Sequence, residues 1–277
     1  MRIDAHHHLW TYDADRYPWI GDGMGVLQRD FTTEELADSM DAVGLDAAVT
    51  VQARHDVDET IWLLNVARDN PEILGVVGWV DLTDEGVDRQ LLELSENPML
   101  VGIRHALQDE SDDAFMLRDD FNRGVARLHG YGLTYDILIY PRHLENTLSF
   151  VDRHPDQVFI LDHVAKPSIR TGEITSWREG LTALADRSNC YCKLSGLVTE
   201  ADWSERTPVE IRPYLDAALE AFGPNRLMFG SDWPVCTLAC DYATWYHLVD
   251  EYTSSLSRDE QSRIWGLTAA EAYRLSG

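Results

Sequence analysis

The feature that most constrains this fold is a rhythm. Eight short apolar runs recur about every 30 residues, with an amphipathic helical pattern in most of the intervals between them. The runs are "RIDAHHH" (2–8), "DAAVTVQ" (46–52), "ILGVVGW" (73–79), "MLVGIRH" (99–105), "LTYDILI" (133–139), "QVFILDH" (157–163), "CYCKLSG" (190–196) and "RLMFGSD" (226–232). Most are β-branched or aliphatic and bounded by turn residues, as strands buried on both faces should be. The intervals carry helix signals. "TTEELADSMDAVG" (32–44) opens on threonine and stops at Gly44, and "DETIWLLNVARDNP" (58–71) ends before Pro71. "DDAFMLRDDFNRGVARLHGYG" and "RPYLDAALEAFG" likewise run up to a glycine. This arithmetic predicts an α/β chain folded as a distorted (β/α)8 TIM barrel, one domain over residues 1–277. A doubly wound open sheet would place a glycine-rich turn after its first strand, where this chain reads His-Leu-Trp.

Composition narrows the function. A net charge of −25 repels polyanions, so neither nucleic acid nor an anionic membrane surface is an expected partner. No apolar run approaches the ~20 residues that span a bilayer, and the N-terminus lacks a basic-then-apolar leader, so a cytoplasmic location is expected. With no Walker element and no G-x-G-x-x-G, no nucleotide cofactor is expected. The four cysteines, Cys190, Cys192, Cys236 and Cys240, form no C-x-x-C pair and read as small buried hydrophobes.

In such a barrel the active site lies at the C-terminal ends of the strands. The first run supplies three histidines, and if it is a regular strand, Asp4, His6 and His8 share one face while Ile3, Ala5 and His7 share the other. The second end delivers Gln52, with Arg54 and His55 just beyond. Later ends bring Trp79, then Arg104 and His105, then Asp136 and Tyr140, then His163 and Lys166 in "LDHVAKP". Lys193, Ser195 and Asp232 complete the set. Ionisable groups collect at one end of otherwise apolar strands. Taken singly, Asp232 before Trp-Pro reads as a turn residue or helix cap, His163 as a satisfied core histidine, and Trp10 and Trp79 as core.

Read together and in order, "DAHHHLW", "GWVDL", "GIRH", "DILIYPRHL", "LDHVAKP", "KLSGL" and "GSDWP" resemble the amidohydrolase superfamily, and within it the branch of sugar-lactone hydrolases. The resemblance runs from residue 3 to about 250. It implies an enzyme, a lactonase opening the 1,4- or 1,5-lactone of a deoxy or hexonic sugar, or a related dicarboxylate lactone, to the hydroxy acid. It departs from the binuclear members, which carry a lysine where this chain has "GIRH". It departs also from members with a strand-5 histidine, which "LTYDILIY" lacks.

Several expectations follow. Asp232 is the base that activates water, with His163, His6 and His8 as its catalytic partners. His6, His8, His163 and Asp232 are also the ligands of one divalent metal, zinc or manganese, in a site that metal-bound and metal-free chemistry both leave open. His163, Tyr140 or His105 protonates the ring oxygen. Arg104, His105, Gln52, Lys193, Lys166 and Tyr140 bind substrate, and Trp79 and Trp10 form walls. The partner is a small-molecule lactone, and a homo-oligomer is expected. A metal-dependent decarboxylase and a non-catalytic binding barrel are the alternatives. Asp232→Asn separates catalysis from binding.

Overall fold

Local signals set the intervals between strands. Thr32 and Glu35 form a reciprocal capping box at the start of the helix Thr33–Val43, and Gly44, at φ 76°, ends it in the left-handed conformation. Asp56 caps the helix Val57–Asp69, Asp241 caps Tyr242–Thr253, and Ser257 with Glu260 caps Arg258–Ser262. The computed structural model describes residues 1–203 and 208–275.

The eight expected runs are all strands. They are β1 (Ile3–His7), β2 (Ala47–Val51), β3 (Ile73–Gly78), β4 (Leu100–His105), β5 (Thr134–Ile137), β6 (Phe159–Leu161), β7 (Cys190–Leu194) and β8 (Leu227–Phe229). Each pairs in parallel with the next, in the order β1 to β8. The two ends of the sheet meet beyond β8, where the Asp232 N–H donates to His6 O at 2.8 Å and the His8 N–H to Trp233 O at 2.7 Å. This is the eight-stranded barrel that the spacing implied. Helices fill the intervals on the outside, including Val87–Ser95, Asp119–Leu128, Leu144–Asp152, Thr175–Ala185 and Pro208–Phe222.

Two apolar layers result. The inner one packs Ile3, Ala5, Ala47, Val49, Val51, Val77, Val101, Ile160 and Met228 against Ala269, Ala272 and Tyr273 of the C-terminal segment. The outer one joins the strands to the helices. All four cysteines are buried and free. No helix among the described residues is long and apolar enough to cross a membrane.

One local expectation fails. Ile3 and Asp4 pair with Ala47 and Ala48, but His7 pairs with Thr50, so β1 spends three steps where β2 spends two. That extra residue is a bulge, and it resets the alternation of side chains. Ile3 and Ala5 face the barrel interior together with His6 and His8, instead of opposing them. Asp4 leaves the His6 face and points outward, accepting bonds from the Ser231 N–H at 2.8 Å and the Tyr242 hydroxyl at 2.9 Å. His7 faces outward as expected, 2.8 Å from the Thr50 hydroxyl.

Candidate active site

The mouth of the barrel holds a cavity of about 1030 Å³ whose floor carries His8, His163, Asp232, Arg104 and Gln52. Backbone conformation places His163 and Asp232. Asp232 stands at φ 56°, and His163, Val164, Ala165 and Lys166 form a left-handed turn at φ 53°, 52°, 59° and 46°. Four consecutive non-glycine residues in that region cost roughly 1 kcal/mol or more each, and such strain gathers at functional sites. The turn is held by Trp177, whose indole N–H donates to Val164 O at 2.7 Å. Glycine is required opposite it: Gly196 has φ +64°, and a Cβ there would lie 2.6 Å from His163 Cγ. Gly230 in "GSDWP" is needed for the same close approach, since its Cβ would sit 2.8 Å from His6 Cβ.

Asp232 Oδ1 is the hub. Three imidazole Nε2 atoms converge on it, from His8 at 3.5 Å, His6 at 3.7 Å and His163 at 3.8 Å. His6 Nε2 and His8 Nε2 are 3.2 Å apart. The far nitrogens decide which atoms are free. His8 Nδ1 lies 2.8 Å from Val51 O, a carbonyl that only accepts, so Nδ1 carries the proton and Nε2 is bare. His6 Nδ1 faces the carboxylate of Asp162 at 3.2 Å, and His163 Nδ1 faces the Ser195 hydroxyl at 2.8 Å. Burial, together with Lys193, keeps His6 well below the usual imidazole range, and burial brings His163 down to about 4. Burial alone would raise the Asp232 carboxyl, but His163, His8 and Lys166 outweigh it and hold Asp232 below the ordinary carboxylate range. The donor set is therefore three neutral imidazoles and one carboxylate, with the ligand atoms of His6, His8 and Asp232 within 4.8 Å of one another. That composition fits a divalent cation such as zinc.

Deeper in the barrel lies a buried ionic layer. Lys193 Nζ is 2.6 Å from Asp136 Oδ2, 2.9 Å from Asp162 Oδ1 and 3.1 Å from His6 Nδ1. Arg104 reaches Asp162 Oδ2 at 3.0 Å, and the Tyr273 hydroxyl donates to Asp136 at 2.5 Å. Two cations and two carboxylates compensate each other there, which a barrel interior demands. Burial would raise Asp162, but Lys193, His6 and Arg104 hold it well below its usual value.

The structure brings His6, His8, His163 and Asp232 together and lines the cavity with Gln52, Arg104, Lys166 and Tyr140. Four other substrate-binding expectations are corrected. Lys193 is fully buried, and its ammonium is spent on Asp136 and Asp162, so it supports His6 and does not reach the cavity. Trp10 is buried among Tyr17, Trp19 and Phe31, with its indole N–H donating to Arg29 O at 2.9 Å. Trp79 and His105 bond to each other at 3.1 Å and lie behind the wall. His105 also faces Glu110 at 2.7 Å, so both its nitrogens are committed and it has no proton to offer the ring oxygen. Sequence reasoning gave no binding role to wall residues Arg16, Trp19, Arg54, His55 and Trp203. For Arg16 and Trp19 the available signal was the long aromatic and acidic loop after β1, since loops at strand C-termini build the mouth.

Comparison with known proteins agrees with this geometry. The family profile described as Amidohydrolase matches residues 3–275. The chain belongs to the amidohydrolase family. It is similar, at 46% identity over 99% of this chain and 96% of the relative, to an L-fucono-1,5-lactonase of Burkholderia multivorans. It is also 34% identical, over the same shares, to an L-fucono-1,5-lactonase of Burkholderia ambifaria. A crystal structure of an amidohydrolase from Burkholderia multivorans with bound zinc superposes with a TM-score of 0.96 at 46% identity, covering 100% of both chains.

Proposed function

We propose that this chain is a sugar lactonase that opens L-fucono-1,5-lactone, or a sugar 1,5-lactone close to it, to the aldonic acid. Asp232 is the base in this reading. The observation that carries it is the convergence of three imidazole nitrogens on Asp232 Oδ1 at the floor of a cavity lined with hydrogen-bonding groups. A polyhydroxylated substrate suits such a lining. The kinship with two lactonases named for the same substrate supports the choice of lactone.

All three imidazole contacts are to Oδ1, which leaves Oδ2 to take a proton from the attacking water. The water oxygen bonds to the carbonyl carbon, the bond from that carbon to the ring oxygen breaks, and the proton held by Asp232 passes to the ring oxygen. His163 and Tyr140, both in the cavity wall, are alternative proton donors to the ring oxygen. Arg104 and Gln52 brace one another, the guanidinium 2.5 Å from Gln52 O and the Gln52 amide 3.1 Å from Arg104 O, and present a polar edge to the substrate. His6, His8, His163 and Asp232 would hold one divalent metal, zinc or manganese. Such an ion polarises a carbonyl and makes bound water acidic. The whole chain acts as one catalytic barrel.

A pH-indicator screen of sugar 1,4- and 1,5-lactones tests the reading, run before and after chelation with metal content measured alongside. Turnover of L-fucono-1,5-lactone is the expected result, and its loss on chelation with recovery on zinc or manganese places the metal. Failure to open any lactone of the panel would overturn the reading.

A further inference from the structure

A second group of possible ligands lies across the mouth from Asp232: atoms of His55, His105 and Glu110 fall within 4.8 Å of one another. Its hydrogen bonds give it a different task. The Trp79 indole N–H only donates, so His105 Nδ1, 3.1 Å away, accepts, and the proton of that ring sits on Nε2 and goes to Glu110 at 2.7 Å. The Ala106 backbone N–H likewise only donates, so His55 Nε2 accepts from it at 2.8 Å, and the neutral His55 ring carries its proton on Nδ1. The ring lone pairs of His55 and His105 are both used, and neither imidazole has one left for a cation.

One donor is left over. The Nδ1–H of His55 has no hydrogen-bond partner among the described residues, and His55 lines the same cavity as Asp232. The ring is not free to turn. It stacks on Trp79 at 5.5 Å with 9° between the planes, and lies 4.1 Å from the His105 ring. The backbone that carries it is pinned as well, since Glu59 Oε2 accepts the N–H groups of Ala53 at 2.9 Å and Arg54 at 3.0 Å.

We propose that His55 is a specificity-determining residue whose fixed Nδ1–H donates to one hydroxyl of the sugar lactone and so orients the ring over Asp232. This rests on the lactonase reading above. Burial brings both His55 and His105 down to about 4, so the pair stays neutral near pH 7 and His55 acts as a hydrogen-bond donor and not as a proton-transfer group. His55 is exposed at the rim of the cavity, so the sugar hydroxyl replaces water on this donor, and an analogue lacking that hydroxyl forgoes the bond that orients the ring.

The test compares wild type, His55→Phe, His55→Asn and His55→Gln on L-fucono-1,5-lactone and on its 2-, 3- and 4-deoxy analogues. The expected result for His55→Phe is a kcat/KM lower by about tenfold or more on the parent lactone, carried mainly by KM. The loss should vanish for one deoxy analogue. His55→Asn, whose amide N–H falls near the position of Nδ1, should recover most of it, and His55→Gln should not. Metal content should match wild type. A loss of the same size on the parent and on all three analogues, equal rescue by asparagine and glutamine, or a missing equivalent of metal would each overturn the proposal. Absence of turnover by wild type on every one of these lactones would instead defeat the lactonase reading itself.

Discussion

Two clusters at the mouth of this barrel look alike on paper and differ in their hydrogen bonds. His6, His8 and Asp232 form one, and His55, His105 and Glu110 form the other; in each the ligand atoms lie within 4.8 Å. In the first, the proton of His8 is drawn to Val51 O, so its inner nitrogen is bare, and the Nε2 atoms of His6, His8 and His163 converge on Asp232 Oδ1. In the second, Trp79 and the Ala106 backbone donate into the rings and use up their lone pairs. Residue type and proximity do not define a metal or catalytic site. The partner on the far nitrogen does.

The comparison can be broken at either cluster. The largest effect is expected at Asp232: Asp232→Asn should lower kcat by about 10³-fold or more while the circular dichroism spectrum stays that of wild type, since the base is lost and the shape kept. Next comes His8→Asn, which should strip the bound metal, read by metal analysis after gel filtration, and carry activity down with it. His105→Phe should leave that metal in place and cost only a few-fold in kcat/KM, because it loosens the wall behind His55 without touching a ligand. Metal loss in His105→Phe would erase the distinction between the clusters. His7→Asn should be nearly silent in activity, for His7 faces away from the site toward Thr50. A stability cost of about 1 kcal/mol from that buried bond is expected in urea unfolding.

A pH-dependent effect on stability sharpens the account of how the second cluster is held. Burial pushes Glu59 up from 4.5 to about 7, against the backbone N–H groups and Arg54 that favour its charge. Between those values the folded chain holds a proton that the unfolded chain has lost. Stability from this group is therefore present in full below about pH 4.5 and declines as pH rises toward 7, by roughly 3 kcal/mol at most. Unfolding free energies of wild type and Glu59→Gln across that window should differ in slope, with the variant flatter. Parallel curves would assign Glu59 an unshifted carboxyl.

Much of the molecule could be read without coordinates. Eight runs bounded by turn residues gave eight strands within a few residues of their ends, because buried parallel strands leave long uninterrupted apolar segments. Gly44 as a helix stop, and the polar residues at the strand ends, were visible for the same local reason. Lys193 and Trp10 could not be placed. A lysine at a strand end looks like a rim charge until Asp136, two strands away on β5, and Asp162, just past the neighbouring β6, are seen to enclose it. Trp10 turns inward because three aromatic rings from the following loop close around it.

What the sequence alone determined is the periodic part: strand, helix and turn, and the set of histidines and the aspartate delivered to one end of the barrel. Periodicity is a property of neighbouring residues, and the chain carries it whole. What only the tertiary structure decided is phase and commitment. The bulge in β1 turns Asp4 away from His6 and brings Ala5 inward, and it exists because β1 must pair with β2 while its end meets Trp233. Which imidazole nitrogen is free depends on a carbonyl, an indole or a carboxylate contributed by a distant segment. Those partners are set by packing between strands, and no spacing within a strand encodes them.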